Sequence, residues 1–447
     1  MHTLENLVSK LSRCTAFLHV ALAGCAALAA APALAITFEV NTTADLPDDG
    51  FGAFTCHTSA GTCSLRAAIM KANLVDGTDS VHVPAGIYTL TIPPSGDDGE
   101  ETGDLNITTS VAITGAGAGR TIIDGNSTDR VFDISAGQFV GLAGLTIRNG
   151  SQRGNGGGVR NAGLLTIDHC TIEDNSTNAD GIIGNGAGIY SSGSLDIFAS
   201  TIRSNHVQGP GSGGGIASFN TAVIRASTIS GNVAGNGGGI FVVNHSQYLY
   251  VMDSTISGNA AYNDGGGIHS VDTAGSSNIV GLYSTSVLGN DASSDSDQTG
   301  EGGGVYAAGN NGARFIVANT IIANNTVNAR DAFDDCAGTI EAYGTNMYST
   351  AVPFGCVVGG NGGDAMRQVS LVSIGPLQDN GGPTPTHALL QNSEAIDGTT
   401  SQGCVDMNGT PLPTDQREAP RIAGVRCDVG AFEYGSIVDV IFVDGFE

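Results

Sequence analysis

Four carboxylates in two neighbouring stretches of the chain have the residue types and spacing that could support acid–base chemistry. They are Asp168, Glu173, Asp174 and Asp196. Hydrolysis of a glycosidic bond needs two carboxyl groups that converge on the bond. Asp168 and Asp196 have similar positions in successive sequence repeats and could stack on one face, whereas such positions more often lie at corners or face solvent. The sequence therefore assigns no catalytic residue.

Basic residues and histidines point less clearly to a site. Abstraction of a sugar proton needs a positioned base, but Arg203 and Arg225 do not align in their repeats. The whole chain has only 17 Lys and Arg, so a basic groove for a polyuronate is not expected. Four histidines fall at different positions of their repeats and do not suggest a ligand set. They are His169, His206, His245 and His269.

Three acidic clusters could supply oxygen ligands to a structural calcium ion. They are Asp45/Asp48/Asp49, Asp97/Asp98/Glu100/Glu101/Asp104 and Asp331/Asp334/Asp335. None has the spacing of an EF-hand loop or of an RTX repeat. The sequence therefore leaves open whether a structural calcium ion binds, and it assigns no ligands to one. No other cofactor is expected.

The candidate residues lie in a repeated sequence pattern, and this pattern predicts where they fall in the fold. Six runs of small residues end at Val159, Ile189, Ile216, Ile240, Ile268 and Val305. Each run precedes an apolar stretch and an asparagine, namely Asn175, Asn205, Asn232, Asn259, Asn290 and Asn324. Consecutive asparagines are 30, 27, 27, 31 and 34 residues apart. Repeats of β-forming residues at this length predict a solenoid and are mostly too short for the blades of a β-propeller.

Each repeat has room for two or three strands with glycine-rich or asparagine-containing corners. Branched residues such as Ile229 and Ile256 are expected to point inward, and the asparagines to hydrogen-bond along the stack. Roughly ten coils between Ser80 and Tyr348 would make a rod about 50 Å long. The acidic stretches Ser95–Asp104 and Asp291–Glu301 interrupt the period, and such insertions usually form a binding face.

The two ends of the mature chain differ from the repeats. Leu65, Ala68, Ile69 and Ala72 recur at helical spacing with Ser64 as N-cap, which predicts one short helix that caps the first coil. The turn-rich segment 375–433 is expected to form a cap at the other end.

The first 35 residues are typical of a secretory signal peptide. Lys10 and Arg13 precede the apolar stretch Thr15–Ala30, and Ala33-Leu34-Ala35 offers a cleavage site. Leu22-Ala23-Gly24-Cys25 also fits a lipoprotein box with Cys25 acylated. Cleavage after Ala35 is favoured because the apolar run continues past Cys25, and no later segment is apolar enough to span a bilayer.

Composition narrows the functional classes further. The formal net charge is −26, and loss of the signal peptide with Lys10, Arg13 and Glu5 makes it one unit more negative. This acidity argues against binding to nucleic acid or an anionic membrane through a basic face. Gly makes up 67 of 447 residues and Trp is absent, which favours tightly wound β-structure.

Seven cysteines follow the signal peptide. In an oxidising compartment the close pairs are candidates for disulfides, and Cys170 is expected to be a buried free thiol. The candidate pairs are Cys56–Cys63, Cys336–Cys356 and Cys404–Cys427.

Three segments together resemble known modules of bacterial exported proteins. Cys63-Ser-Leu-Arg-Ala-Ala68 resembles the CSLREA domain, although Ala67 replaces the glutamate of that motif. The Gly-Gly-Gly-Ile and Thr-Ile-x-x-Asn phrases resemble right-handed parallel β-helices of the pectin-lyase-like superfamily and the repeats of polymorphic outer-membrane proteins. Segment 375–433 is similar to the choice-of-anchor Q domain, and the final Asp-Gly-Phe-Glu447 resembles a tail of some proteobacterial exported proteins.

The resemblance implies an all-β fold, a right-handed parallel β-helix with a short N-terminal helix and a C-terminal cap. The expected divisions are the signal peptide 1–35, the CSLREA-like cap 36–79, the β-helix 80–348, the choice-of-anchor Q-like cap 349–435 and the tail 436–447. It also implies secretion or residence on the outer surface of a bacterium.

Two functional hypotheses follow. The first is a non-catalytic, adhesin-like rod that binds extracellular polysaccharide or a host or matrix surface. The alternative is a polysaccharide lyase or glycoside hydrolase with a site in a lateral groove, which is an analogy at the level of fold. An autotransporter passenger is disfavoured because too few residues follow Tyr348 to form an outer-membrane barrel.

Overall fold

The computed structural model describes residues 35–437 with short gaps. The gaps are 53, 76, 96–99, 179–181, 244–247, 273–277, 296–299, 309–312, 328–331, 350–355, 360–365, 370–371 and 401–402. The predicted signal peptide before Ala35 and the predicted tail after Ile437 lie outside the described residues. The chain from Ala35 onward forms one compact unit.

This unit is a solenoid, as the repeats predict, and a right-handed parallel β-helix, as the resemblance implies. Each full coil contributes one strand to each of four columns, which we call sheets 1 to 4 in the order in which the chain visits them. Sheets 1 and 2 join at the end of the rod because one strand, Cys336–Tyr343, pairs with both Val305–Ala308 and Arg314–Ala318.

The strand bounds follow the four columns. Sheet 1 contains Leu105–Ile107, Phe132–Ile134, Val159–Asn161, Ile189–Ser191, Ile216–Ser218, Ile240–Val243, Ile268–Val271 and Val305–Ala308. Sheet 2 contains Thr37–Glu39, Thr78–Val83, Ser110–Gly115, Phe139–Ala143, Leu164–Asp168, Ser194–Phe198, Ala222–Arg225, Tyr248–Met252, Ile279–Tyr283, Arg314–Ala318, Cys336–Tyr343 and Cys356–Gly359. Sheet 3 contains Gly86–Thr89, Thr121–Asp124, Thr146–Arg148, Thr171–Glu173, Thr201–Arg203, Thr228–Ser230, Thr255–Ser257, Ser286–Leu288, Ile321–Ala323, Asn346–Tyr348 and Met366–Gln368. Sheet 4 contains Ser151–Gln152, Ser176–Thr177, His206–Val207, Val233–Ala234, Ala260–Ala261, Asp291–Ala292, Thr326–Val327 and Ala332–Phe333.

The core of the rod consists of stacked branched side chains. All six residues that end the small-residue runs begin strands of sheet 1 and are fully buried. Ile229 lies opposite Ile256 in sheet 3, and both are fully buried, which confirms their inward orientation. Apolar burial of this kind contributes about 25 cal/mol per Å² to folding, so the stack is the main source of stability.

The predicted asparagine ladder is present inside one corner of the rod. Each side-chain amide donates to the amide oxygen of the next rung at 2.9 Å. The glycine runs make room for it. A Cβ at Gly215 would lie 3.0 Å from Asn232 Nδ2 and 2.7 Å from the Gly239 carbonyl oxygen. The last glycine of the run is thus required by the close approach of the ladder.

The last asparagine of the ladder is Asn325, so the prediction of Asn324 was wrong. Strand register places Ile321–Ala323 opposite Ser286–Leu288, so Asn325 is the rung after Asn290. Its Oδ1 accepts a hydrogen bond from the side-chain amide of Asn290. Asn324 instead occupies the position equivalent to Gly289, with φ of 57°. Asparagine tolerates this left-handed conformation better than most residues, which explains the Asn-Asn pair.

The N-terminal helix α1 (Leu65–Ala72) packs on the first coil as predicted. Ser64 Oγ accepts from the Ala67 amide at 3.0 Å, and the predicted apolar face is buried. Arg66, also buried, binds Asp45 at 2.7 Å and donates to the carbonyl of Gly103 at 2.8 Å. Its guanidinium therefore ties the helix to the rod. Among the described residues, no helix is long and apolar enough to span a membrane.

Disulfides join residues that are close in sequence. Cys56 is bonded to Cys63, and Cys404 to Cys427. Cys336 is also disulfide-bonded, whereas the side chain of Cys356 lies outside the described residues. Cys170 is a buried free thiol, and burial raises its pKa to about 12.

The segment 374–436, here called the return segment, contacts the side of the rod. Its strands Ile374–Gln378 and Thr386–Leu389 pair antiparallel. Val429 and Phe432 pack against outward-facing apolar residues of sheet 3, including Ile321. The sequence predicts a cap over the end of the rod, but these contacts are lateral because the apolar outer face of sheet 3 needs cover there.

Candidate functional site

The outer face of sheet 3 carries a row of hydroxyl groups, one per coil. Strand register aligns Thr146, Thr171, Thr201, Thr228, Thr255 and Ser286. Each precedes an inward-facing branched residue, so the alternation of the strand directs the hydroxyl side chain outward. The row therefore presents hydrogen-bond donors and acceptors along the axis of the rod.

A second outward row carries alternating charges. It contains Asp124, Arg148, Glu173 and Arg203 in register. Asp124 binds Arg148 at 2.9 Å, and Glu173 binds Arg203 at 2.6 Å. Burial acts to raise the pKa of Asp124, but hydrogen bonds from the Asn126 amide, Asn149 and Arg148 outweigh it and lower the pKa.

The return segment divides the hydroxyl row into a covered half and an open half. In the covered half, Thr228 donates to the Pro385 carbonyl and Thr255 donates to Gln416 Oε1, both at 2.6 Å. Ser286 accepts from the Ala431 amide at 3.0 Å. The open half contains Thr146, Thr171 and Thr201, which border a cavity at the edge of the segment, although Thr146 and Thr201 are themselves largely buried.

A cavity of about 340 Å³ occupies the open half, and we call it the lateral groove. Its lining residues are Ala118, Gly119, Thr146, Thr171, Glu173, Thr201, Arg203, Asp379, Gly382, Pro383, Thr384 and Pro385. Gly119 donates to Thr146 Oγ1 at 2.9 Å and closes one end. The return segment forms the opposite wall, so the groove is a bounded trough on the side of the rod.

The chemistry of the lateral groove suits a polar, hydroxyl-rich ligand. The Arg203 side chain is half exposed at 52%, whereas Glu173 is 14% exposed. Thr171 and Thr201 add neutral hydroxyls, and the described lining contains no aromatic ring. The groove can therefore hold a ligand through directional hydrogen bonds, which orient it, and has a volume in the range of small-molecule sites.

Comparison with solved structures shows the same fold. The crystal structure of the pectate lyase Pel9A superposes with a TM-score of 0.54 at 14% identity, covering 89% of this chain and 96% of that chain. A mannuronic-acid-specific family 6 polysaccharide lyase from human gut microbiota aligns with a TM-score of 0.22 at 11% identity, covering 64% of this chain and 87% of that chain. No protein-family model and no curated protein matches the sequence. The β-helix is thus shown, whereas the CSLREA-like and choice-of-anchor Q-like assignments stay predictions.

The four candidate carboxylates lie on three different surfaces. Asp168 and Asp196 are on the outer face of sheet 2, but register pairs Asp196 with Thr166, so the two carboxylates are in different rows. Asp168 binds His169 at 2.7 Å, and Asp196 binds Arg225 at 2.9 Å. Of the four carboxylates, Glu173 alone lines the lateral groove.

Asp174 takes a corner position, with φ of 55°. Arg203 and Arg225 lie on different sheets, in agreement with their poor alignment in the sequence. The four carboxylates and two arginines therefore do not converge on a common centre.

The histidines that the structure describes lie apart. His169 follows the sheet 2 strand Leu164–Asp168, His206 is on sheet 4 and His269 on sheet 1, whereas His245 lies outside the described residues. Burial lowers the pKa of His206, which contacts the Tyr262 hydroxyl at 3.1 Å. Burial also lowers the pKa of His269 to about 4, so it is neutral at physiological pH.

The first acidic cluster and Asp104 of the second are engaged by basic partners. Asp48 binds Lys71 at 3.0 Å, Asp49 binds His57 at 2.8 Å and Asp104 binds Arg130 at 2.8 Å. Asp97, Asp98 and Asp331 lie outside the described residues. In the part of the chain that the structure describes, no group of three or more His, Cys, Asp or Glu is placed to hold a metal ion. The described residues therefore supply no ligand set for the calcium ion that the sequence leaves open.

One acidic insertion does border a cavity. A polar pocket of about 400 Å³ lies between Thr102 and Asp104 of the first insertion and Ser151, Gln152 and Asn178 near sheet 4. Asp104 is buried and its carboxylate is held by Arg130. This pocket is separate from the lateral groove because the two linings share no residue.

Sequence reasoning missed the threonine row and Arg203 as parts of one site. The phrase Thr-Ile recurs at Thr146, Thr171, Thr201, Thr228 and Thr255. The isoleucines of this phrase predict the core. Their threonine neighbours carry the same period, so the hydroxyl row could have been read from that phrase.

Proposed function

We propose that the protein is an exported polysaccharide-binding β-helix that holds a polymer in the lateral groove without cleaving it. The observation that carries this proposal is the bounded polar trough of about 340 Å³ on the outer face of sheet 3. Hydroxyls repeat along it at the spacing of one coil, which suits an extended polymer lying parallel to the rod axis.

The fold supports a polysaccharide as the ligand class. Pel9A, which shares the β-helix, is a pectate lyase. The predicted signal peptide and the disulfides fit a secreted or surface-exposed protein. Attachment to a host or matrix surface through such a polymer would be the adhesin-like role, and it belongs to the same proposal.

The arrangement in the groove favours binding over hydrolysis. A hydrolase needs a carboxyl group that donates a proton to the leaving oxygen. Glu173 Oε2 accepts from both Nε and an η nitrogen of Arg203, at 2.8 and 2.6 Å. This carboxylate is therefore engaged as an acceptor and is poorly placed as a proton donor.

A second candidate function is a glycoside hydrolase or lyase that uses the same groove. It is favoured by one observation, the presence of carboxylates on both sides of the trough, Glu173 on the floor and Asp379 in the return segment. Two carboxyl groups flanking a bond are the minimum equipment of a glycosidase.

A panel of polysaccharides incubated with the mature protein separates these functions. Binding is measured by affinity electrophoresis, and cleavage by new reducing ends and by the absorbance of unsaturated products. We expect binding of at least one polymer without product, with weaker binding by Arg203→Ala. Arg225→Ala is the matched control, because Arg225 is similarly exposed and ion-paired but lies on sheet 2. Turnover would establish the enzyme, and absence of binding would refute both functions.

A further inference from the structure

We infer that Glu173 makes the lateral groove selective against anionic polymers, so that its ligand is an uncharged polysaccharide. The inference rests on the proposed function and names the substrate class of that site. It would distinguish this groove from one that binds a polyuronate.

The first support is the charge of the lining. Among the described lining residues, Arg203 is the single cation, whereas Glu173 and Asp379 are both acidic. The lining therefore carries one net negative charge. A polymer that bears a carboxylate on every sugar would meet repulsion from two like charges and attraction from one.

The second support is the geometry of the ion pair. Arg203 donates through Nε at 2.8 Å and through an η nitrogen at 2.6 Å to Glu173 Oε2. This is one of the two edges through which a guanidinium can bind a carboxylate with parallel hydrogen bonds. A carboxylate of the polymer would have to displace Glu173 to use this edge, and at the other edge it would meet a cation whose charge Glu173 already neutralises.

Displacement of Glu173 would be costly. Its side chain is only 14% exposed, so a carboxylate that loses its arginine there would remain partly desolvated and without its counter-charge. The neighbouring cation of the row, Arg148, is held by Asp124 at 2.9 Å and does not provide a substitute. The formal charge of −26 adds a long-range repulsion of polyanions at low ionic strength.

An uncharged chain meets none of these obstacles. Sugar hydroxyls both donate and accept, so they can bind Thr171, Thr201 and the unused Glu173 lone pairs while the ion pair stays intact. The Glu173–Arg203 pair then acts as a polar, nearly neutral floor. The groove therefore favours polymers that carry no charge.

Pairs of polymers that share a backbone and differ in charge test this inference. The probes are polygalacturonate with its full methyl ester, and carboxymethyl-cellulose with hydroxyethyl-cellulose. We expect the mature protein to bind the uncharged member of a pair more tightly. Glu173→Gln removes the excluding charge and frees Arg203, so we expect binding of the anionic member to rise about tenfold, the effect of one charged hydrogen bond.

The control variant is Asp196→Asn, which frees Arg225 from a comparable ion pair on sheet 2. It should leave the ratio of affinities unchanged. Tighter binding of the anionic member by the unmodified protein would overturn the inference and leave the proposed function intact. An unchanged ratio in Glu173→Gln, with an unaltered thermal midpoint, would overturn the role of Glu173. Binding of neither member of either pair would count against the proposed function itself.

Discussion

Single asparagine side chains connect one coil to the next in the interior of the rod. Asn232 is fully buried and uses all of its hydrogen-bonding groups. Its amide nitrogen donates to the Ile202 carbonyl at 3.0 Å and to Asn259 Oδ1 at 2.9 Å. Its oxygen accepts from the backbone and side-chain nitrogens of Asn205. Each rung therefore satisfies groups that would otherwise be buried without partners.

Asn232→Ala is expected to lower the free energy of unfolding by about 3 kcal/mol, because it leaves several buried polar groups unpaired. Urea denaturation followed by circular dichroism measures the change. Asn408→Ala is the control, since Asn408 is exposed. Equal stability of the two variants would show that the ladder contributes no net stability.

Arg66→Ala is expected to destabilise the protein by about 3–5 kcal/mol, because it leaves the Asp45 carboxylate buried without its counter-charge. Both side chains are at most 2% exposed. Thermal unfolding measures the loss, with the exposed Arg120→Ala as control. A loss no larger than that of the control would contradict the assigned role of Arg66 in holding the helix.

At the scale of elements, one glutamine makes several of the hydrogen bonds between the return segment and the rod. Gln416 is fully buried and donates to Thr228 Oγ1 at 2.7 Å and to Thr384 Oγ1 at 2.9 Å. It also accepts from Thr255. A single side chain thus joins two coils of sheet 3 and the hairpin of the segment.

Gln416→Ala is expected to weaken docking of the return segment and to increase its cleavage by protease several-fold. The reason is loss of hydrogen bonds between buried groups, at about 1–3 kcal/mol for each group left unpaired. Limited proteolysis with mass spectrometry locates the cuts. Gln378→Ala is the control, because Gln378 is exposed. Cuts that increase equally in both variants would argue against this role.

The sequence predicts the elements of the rod better than their lateral contacts. Small-residue runs and branched residues repeat locally, so the solenoid and the inward orientation of Ile229 and Ile256 were correctly predicted. The Asn324 error arose because Asn324 and Asn325 are adjacent and only strand register decides between them. The return segment could not be placed, since its bonds to the rod join residues such as Thr255 and Gln416 that are 161 positions apart.

The candidate site was predictable only in part. The sequence identifies Glu173 as a candidate carboxylate for acid–base chemistry, but its partner Arg203 lies 30 residues away on the next coil. One wall of the groove comes from the return segment, about 200 residues later in the chain. A site assembled from such distant parts has no local sequence signal.

At the scale of the whole molecule, buried carboxylates set the response to pH. Burial raises the pKa of Asp253 to about 7, with Arg421 opposing the shift and Asp415 adding to it. Burial also raises the pKa of Glu433 to about 7. In the unfolded chain these groups titrate near pH 4. The folded protein therefore binds more protons between about pH 4 and 7.

Stability should consequently fall as the pH rises from about 6.5 to 8, because the stabilising protons are lost as the pH passes the folded pKa values of Asp253 and Glu433. Below about pH 6.5 the buried His269, whose pKa is lowered to about 4, acts in the opposite direction. The thermal midpoint measured at each pH provides the check. Asp253→Asn should reduce this slope, whereas the exposed Glu418→Gln should retain it. A midpoint that rises steadily across this range would contradict the prediction.

The ladder also has a direction. Every rung donates toward the C-terminal end, and the last, Asn325, donates to Asp335 Oδ1 at 3.1 Å. A carboxylate has no hydrogen to pass on, so it ends such a chain, and its second oxygen accepts from Ser349 instead. The interior asparagines therefore repeat the same contacts from coil to coil, and Asp335 accepts the last hydrogen bond of the ladder. We expect that whole coils could be added to or removed from the rod, provided that Asp335 stays at the end of the ladder.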